Sequence, residues 1–309
     1  MSETSGRTPV PSVVTIGVFD GVHRGHARLV ETAVALAATE GLRPVAITFE
    51  PHPMNVVRGL EVPMLATLPR RSTLLHDGGI AHVHICDFTP ERAAQDPEVF
   101  IDEVLVSTLG ARIVVVGEGF RFGRRAAGSA QTLRDAGLVV HEVPQVVLNG
   151  DRVSSTRIRG LVTEGDVVQA AELLGRPHRL EGVVVHGHAR GRDIGYPTAN
   201  LAVADRLLIP ADGVYAGWLA RGEVNHGFDG AELLPAAISI GTNPTFEDVL
   251  ERRVEAYVLD RTDLDLYNEY VALDFVTRIR GMEKFDGLPD LLAAMARDVE
   301  TARRVLANG

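Results

Sequence analysis

The chain has a single cysteine, Cys86, and so no second thiol with which to close an internal disulfide. That fits a reducing compartment, and within His84-Ile85-Cys86 the thiol reads as a buried small hydrophobe. No apolar run approaches the ~18 residues of a membrane span. The first eleven residues are polar and lack the apolar core of a secretion signal, so a soluble cytoplasmic protein is expected, with no membrane partner. Positive charge is not in excess: 31 Lys and Arg stand against 41 Asp and Glu, a formal net charge of −10. A general nucleic-acid binder needs a basic face, so that role is excluded, although a local basic pocket for one nucleotide is not. There is no Gly-x-x-x-x-Gly-Lys-Ser/Thr and no Lys-Met-Ser-Lys stretch, no internal repeat and no low-complexity tract.

What is present is a globular composition, 45% apolar and 23% charged over 309 residues, which suggests two domains. The first half alternates β-branched runs with helical periodicity. Strands are expected at Val13–Val18, Val45–Phe49, Val83–Cys86, Ile113–Val116 and Leu138–Val140. Helices are expected from the Leu29, Val30, Ala33, Val34, Ala37 spacing (ending at Gly41), and near Leu68–His76, Glu98–Leu109 and Ser129–Asp135. This is an α/β pattern with a parallel sheet, whose ligands sit beyond the carboxyl ends of the strands. Two more helices, Ser155–Val162 and Asp166–Leu174, precede Gly175-Arg176-Pro177, where the domain boundary is placed: 1–176 and 177–309. The second half has short strands at Leu180–His186, Gly213–Ala220, Ala236–Ile240, Val254–Leu259 and Tyr270–Val276, which read as a small antiparallel barrel or sandwich. An amphipathic helix after Asp286, a candidate N-cap, closes the chain, with Leu288, Leu291, Leu292, Met295, Val299, Ala302 and Leu306 as its apolar stripe.

Unusual sequence follows the first strand: Gly17-Val18-Phe19-Asp20-Gly21-Val22-His23-Arg24-Gly25-His26. Glycines there let the backbone approach a ligand, the next helix offers its N-terminal N–H groups to an anion, and His23 and His26 add donors for phosphate oxygens. Nucleotidyl transfer needs this electrostatic cradle and no protein nucleophile. Thr48-Phe49-Glu50-Pro51-His52-Pro53 follows the second strand, and Gly117-Glu118-Gly119-Phe120-Arg121-Phe122-Gly123-Arg124-Arg125 the fourth, interleaving arginines with aromatics. Arg152-Val153-Ser154-Ser155-Thr156-Arg157-Ile158-Arg159 supplies helix-capping hydroxyls, with Arg152 and Arg159 as phosphate ligands. In the second half, Gly187, Gly191 and Gly195 with Arg190 and Arg192 suit a loop over phosphates, and Pro197-Thr198-Ala199-Asn200 sets two hard oxygen donors for Mg²⁺ on one side of an extended segment. Glu255 interrupts an otherwise apolar strand, where a carboxylate is costly without a partner or a task. Phe275, Met282 and Phe285 read equally as core or as the wall of a ring-binding pocket.

These motifs, in this order and across nearly all of the chain after Pro11, resemble the bacterial bifunctional riboflavin kinase/FMN adenylyltransferase family. The resemblance implies a Rossmann-like nucleotidyltransferase module of the His-x-Gly-His class followed by a riboflavin kinase-like barrel with a terminal helix. It implies ATP at Gly17, Phe19, Asp20, His23, Gly25 and His26, and at Arg152, Ser154, Ser155, Thr156 and Arg159. It implies Mg-ATP at the kinase site, with Thr198 and Asn200 holding the ion, and Glu255 as general base for the ribityl 5′-hydroxyl. Riboflavin, FMN and ATP are then the small-molecule partners, and FAD the final product. One departure is Gly119, where close relatives carry Asn or Asp before the first Phe of the loop. It motivates a second reading, a kinase whose first module no longer adenylylates. A non-catalytic flavin or nucleotide sensor is a third, and retention of His23, His26, Thr198, Asn200 and Glu255 counts against it.

Overall fold

A computed structural model of the chain describes residues 9–187, 195–222, 228, 230–242, 252–261 and 263–307. The chain forms two compact units, Met1–Val62 with Leu68–Ser154, and Pro63–Thr67 with Ser155–Gly309.

The first unit is a five-stranded sheet of β1 (Ser12–Ile16), β2 (Arg43–Glu50), β3 (His82–Asp87), β4 (Ala111–Gly117) and β7 (Val139–Val143), in the order β3-β2-β1-β4-β7. Every pair in it is parallel. All five residues of β1 are buried, as expected of a central strand covered on both faces. Helix α1 (Arg24–Glu40) presents Ala33 and Ala37 to one face and ends at Gly41, whose φ of 65° suits glycine in the cap position. The expected helix at Glu98–Leu109 exists, but its body is π-helical over Ile101–Thr108 after a short α-helical start, Pro97–Phe100. Helix α2 (Pro53–Arg58) was not evident in the sequence, whereas α3 (Leu68–Asp77) was. The two-residue strands β5 (Arg121–Phe122) and β6 (Gly128–Ser129) close the aromatic loop, and β8 (Val147–Leu148) and β9 (Asp151–Arg152) form a second small hairpin. Cys86 is buried at 3% exposure, and burial raises its thiol pKa, so it behaves as the expected small hydrophobe.

The second unit is a closed barrel of β10 (His178–Val185), β11 (Ala199–Val203), β14 (Arg253–Val258), β13 (Leu233–Gly241), β12 (Gly213–Gly222) and β15 (Tyr270–Arg280), in that order around the ring and antiparallel at every pairing. Closure leaves no free sheet edge. Its core gathers Leu180, Val184, Tyr215, Leu219, Ile238, Val254, Leu273 and Phe275. Helices at Ser155–Glu164 and Val167–Leu174 belong to this unit: Val167 is fully buried in the barrel's core. The compact units therefore divide before these helices, at Ser155, whereas the Gly-Arg-Pro punctuation at Arg176 lies after them.

The C-terminal helix, Leu288–Leu306, packs Ala302 and Leu306 on the barrel. Its N-cap is Gly287 rather than Asp286, with a proline in the first turn, and Leu288 of the expected stripe is exposed at 47%. Asp298 is buried on this helix and binds Arg280 of β15, with Arg280 Nη2 2.7 Å from its Oδ2.

Candidate functional site

In the first unit, the loop after β1 is held in an uncommon backbone. Phe19, Gly21 and Val22 all have positive φ, at 53°, 75° and 38°. Two of these are bulky non-glycine residues, and such conformations cost about 1–3 kcal/mol each, persisting only where the surroundings over-determine them. The surroundings do so. Phe19 is fully buried, with its ring against Gly17: a Cβ there would sit 3.2 Å from the ring. The Phe19 ring also meets the His26 ring edge-on at 5.2 Å. His23 caps α1, its Nδ1 accepting the His26 backbone N–H at 3.2 Å, so in the neutral ring the proton sits on Nε2. The two imidazoles stack at 3.6 Å. Gly25 lies so close to His23 that a Cβ would be 3.1 Å from the ring, and 3.6 Å from the Val153 carbonyl. Residues 152–154, the start of the second expected signature, thus run beside the first motif.

Gly17, Phe19, Asp20, His23, Gly25 and His26 lie in this one loop and the first turn of α1, and Asp20 and His23 are buried. Ser154 falls in the same unit. Ser155, Thr156 and Arg159 fall in the second, where Arg159 Nε donates to the Pro63 carbonyl at 2.8 Å. After β2, His52 caps α2 by accepting from the Met54 N–H at 3.1 Å. In the aromatic loop, Phe120 and Phe122 stack at 5.5 Å, and Arg124 pairs with Asp96 at 2.7 Å. Gly119 has a φ of 75°, and the Phe120 N–H donates to the Gly117 carbonyl at 3.0 Å. Glycine adopts this left-handed region without strain, and Asn and Asp are the other residues that tolerate it best.

One residue here escaped the sequence reading. Arg71 on α3 is fully buried, and its guanidinium donates to the Val18 carbonyl at 2.9 Å, Thr48 Oγ1 at 3.3 Å and the Phe49 carbonyl at 3.4 Å, and to Glu50 Oε2 at 2.6 Å. Its available signal was periodicity: Arg71 and Leu75, four apart, are the buried positions of α3.

In the second unit, three strands carry the other motif. Asn200 of β11 lies directly opposite Glu255 of β14, and Glu255 directly opposite Ser239 of β13. Directly paired residues share a face. Along β14, Val254, Ala256 and Val258 are buried while Arg253, Glu255 and Tyr257 are half-buried. Glu255 therefore stands on the face of the barrel wall opposite the buried Val254, Ala256 and Val258. Thr198, two residues before Asn200, reaches the same carboxylate: its Oγ1 lies 3.5 Å from Glu255 Oε2. A Cβ at Gly187 would run into the Asn200 amide, so the glycine is needed for close approach. The Asn200 Oδ1 is buried and accepts no hydrogen bond among the described residues. An orphaned carbonyl oxygen beside a hydroxyl and a carboxylate fits a hard divalent cation. Arg190 and Gly191 lie outside the described residues, whereas Gly195 has a φ of 84°, as a tight turn requires. Beside Thr198 an open cleft is lined by Val184, Pro197, Val258, Leu264, Leu266 and Tyr267, with Arg261 also on its wall. At Tyr267 the ring stacks on His186 at 3.9 Å. Of the three residues read as core or pocket, Phe275 is fully buried core, and Phe285 lies under the Arg280 guanidinium at 5.6 Å.

A parallel-sheet unit with a histidine-capped loop at its first helix, joined to a barrel that presents a hydroxyl, an amide and a carboxylate in register, fits a two-module transferase. The FAD synthetase family model matches residues 6–157 and the riboflavin kinase model residues 174–306. A bifunctional riboflavin kinase/FMN adenylyltransferase of Listeria monocytogenes is 33% identical over 97% of this chain and 94% of its own length, and one of Escherichia coli K12 is 34% identical over 94% and 91%. A solved Streptococcus pneumoniae structure, described as a macrolide-efflux protein, is 34% identical, covers 96% of this chain and 95% of its own, and superposes with a TM-score of 0.85. The efflux description is not carried over; among the described residues no helix is long and apolar enough to cross a membrane. The chain belongs to the bifunctional riboflavin kinase/FMN adenylyltransferase family, and both transferase activities are assigned to it.

Proposed function

We propose that riboflavin is phosphorylated on the barrel unit, with Glu255 as general base. The observation that carries this is the row Thr198–Asn200–Glu255, a carboxylate within 3.5 Å of a hydroxyl and directly opposite an amide whose buried oxygen accepts no hydrogen bond among the described residues. Glu255 takes the proton of the ribityl 5′-hydroxyl as that oxygen forms its bond to the γ-phosphorus of ATP, and ADP leaves. Thr198 and Asn200 would hold Mg²⁺; when bound, the ion supplies charge neutralisation at the phosphate oxygens. The apolar cleft beside Thr198 suits the adenine of ATP, with Gly187, Arg190, Gly191 and Gly195 around the phosphates.

In the second reaction an oxygen of the FMN phosphate attacks the α-phosphorus of ATP and pyrophosphate leaves. His23, His26 and the N-terminus of α1 stabilise the developing negative charge, Gly17, Phe19, Asp20 and Gly25 shape the loop, and Arg152, Ser154, Ser155, Thr156 and Arg159 bind phosphate. The functional division falls at Arg176, the protein is cytoplasmic, and it binds neither nucleic acid nor membrane.

The test is a Mg²⁺ titration of riboflavin phosphorylation by Asn200→Ala and Thr198→Ala. The Mg²⁺ concentration for half-activation should rise about tenfold in each, while FMN adenylylation by the same preparations keeps its wild-type Mg²⁺ dependence. An unchanged kinase titration would remove both residues from the ion's site.

A further inference from the structure

We infer that Arg71 is a positioning residue for adenylyl transfer, holding the phosphate loop through its main chain. The inference rests on assigning the loop of residues 17–26 to ATP. No part of Arg71 belongs to the loop, yet its buried guanidinium ties together the carboxyl ends of the two strands that carry the motifs. One terminal nitrogen donates to the Val18 carbonyl at 2.9 Å, and the other binds Glu50 Oε2 at 2.6 Å. Thr48 Oγ1 donates to the same Val18 carbonyl at 2.8 Å and lies 3.3 Å from Arg71 Nη1. Val18 immediately precedes the three positive-φ residues, Phe19, Gly21 and Val22, and these lead into the His23 cap.

The chain of contact is short. Arg71 fixes the Val18 carbonyl, which orients the peptide entering Phe19. The Phe19 ring fills the space above Gly17 and abuts His26, and His26 stacks on His23. At its other end Glu50 leads into Pro51-His52, whose histidine caps α2. The two terminal nitrogens divide the acceptors, Nη1 shared among the Val18 and Phe49 carbonyls and Thr48 Oγ1 and Nη2 on Glu50, while the buried Nε has no partner among the described residues; a single ammonium cannot reach both groups from one point. Burial lowers the Arg71 pKa, and the Glu50 and then Asp20 carboxylates counter that, so the charge is retained at neutral pH.

The experiment compares Arg71→Lys and Arg71→Met with wild type in two assays on the same preparation, FMN adenylylation and riboflavin phosphorylation, with hydrogen exchange of β1 and β2 as the folding control. Wild type must convert FMN to FAD; if it does not, the reading of the loop fails before Arg71 is tested. Arg71→Met is expected to lower kcat for FAD formation at least 30-fold with riboflavin phosphorylation unchanged, and Arg71→Lys to recover part of it. Should Arg71→Met fail to protect β1 and β2, the lysine variant decides alone. It is expected to keep the strands protected and to lose about tenfold in kcat. A protected Arg71→Lys with wild-type kcat and KM for ATP would overturn the inference, as would a Met variant whose folded fraction turns over normally.

Discussion

The barrel should lose stability in mild acid through one histidine. His178, 1% exposed at the start of β10, has its Nε2 2.9 Å from the Leu208 carbonyl, an acceptor that fixes the proton on Nε2. Its Nδ1 is buried and has no partner among the described residues, and the ring lies beside Phe275 at 6.3 Å. Burial lowers its pKa from 6.5 to about 4, with the Leu208 carbonyl and the Asp274 carboxylate opposing the shift and Arg176 adding to it. Native His178 thus stays neutral while the unfolded chain binds a proton below pH 6.5. Between pH 6.5 and 4 the unfolded state holds more protons, so stability falls as pH falls. The loss attributable to His178 is about 2 kcal/mol at pH 5 and about 3 kcal/mol by pH 4. Urea unfolding followed by the fluorescence of Trp218, the single tryptophan and a barrel residue, reads this unit selectively. His178→Gln offers an amide donor that does not titrate, so its midpoint should fall less between pH 7.5 and 5, by the equivalent of about 2 kcal/mol. Parallel decline of the two proteins would refute the reasoning.

Two further perturbations follow from the geometry. Gly187→Ala places a methyl against the Asn200 amide and should lower kcat/KM for riboflavin phosphorylation about 100-fold, since small displacements of a positioning group carry costs of that order; FMN adenylylation measured alongside should not change. Asp298→Ala strands Arg280 beneath the C-terminal helix and should destabilise the barrel by about 2 kcal/mol, read as a lower urea midpoint from Trp218, and Asp298→Asn should cost less.

The main architecture was legible because its signals are strong. The central strands β1, β2 and β4, buried over most of their length, read as apolar runs, and the edge strands β3 and β7 showed shorter β-branched stretches at the expected places. Elements without a periodic signal were not legible. The two-residue strands are too short to show a period, and β11 is hidden because Ala199–Val203 begins inside the Pro-Thr-Ala-Asn motif. The helix cap moved one residue, to Gly287, because extended backbone before Pro289 serves the entry to the helix without a side-chain cap. At the sites, residue identities were readable and environments were not. Glu255 looked like a carboxylate in an apolar strand, but strand alternation sets it on the outer side of the wall with Tyr257. Gly119 read only as an absent side chain, and its positive φ of 75° was not visible in the sequence. Arg71 was passed over because its only local signal is the four-residue spacing to Leu75; its four acceptors come from β2 and from Val18 in the loop after β1, brought to it by the fold.

The most direct test of two separable sites on one chain is a product time course for Glu255→Gln and His26→Ala, each given ATP and Mg²⁺ with either riboflavin or FMN. Glu255→Gln should form neither FMN nor FAD from riboflavin, a loss of about 10²–10⁴-fold for a missing base, yet convert supplied FMN to FAD at the wild-type rate. His26→Ala should take riboflavin to FMN and stop there. Wild-type phosphorylation by Glu255→Gln, or FAD formed at the wild-type rate by His26→Ala, would contradict the account.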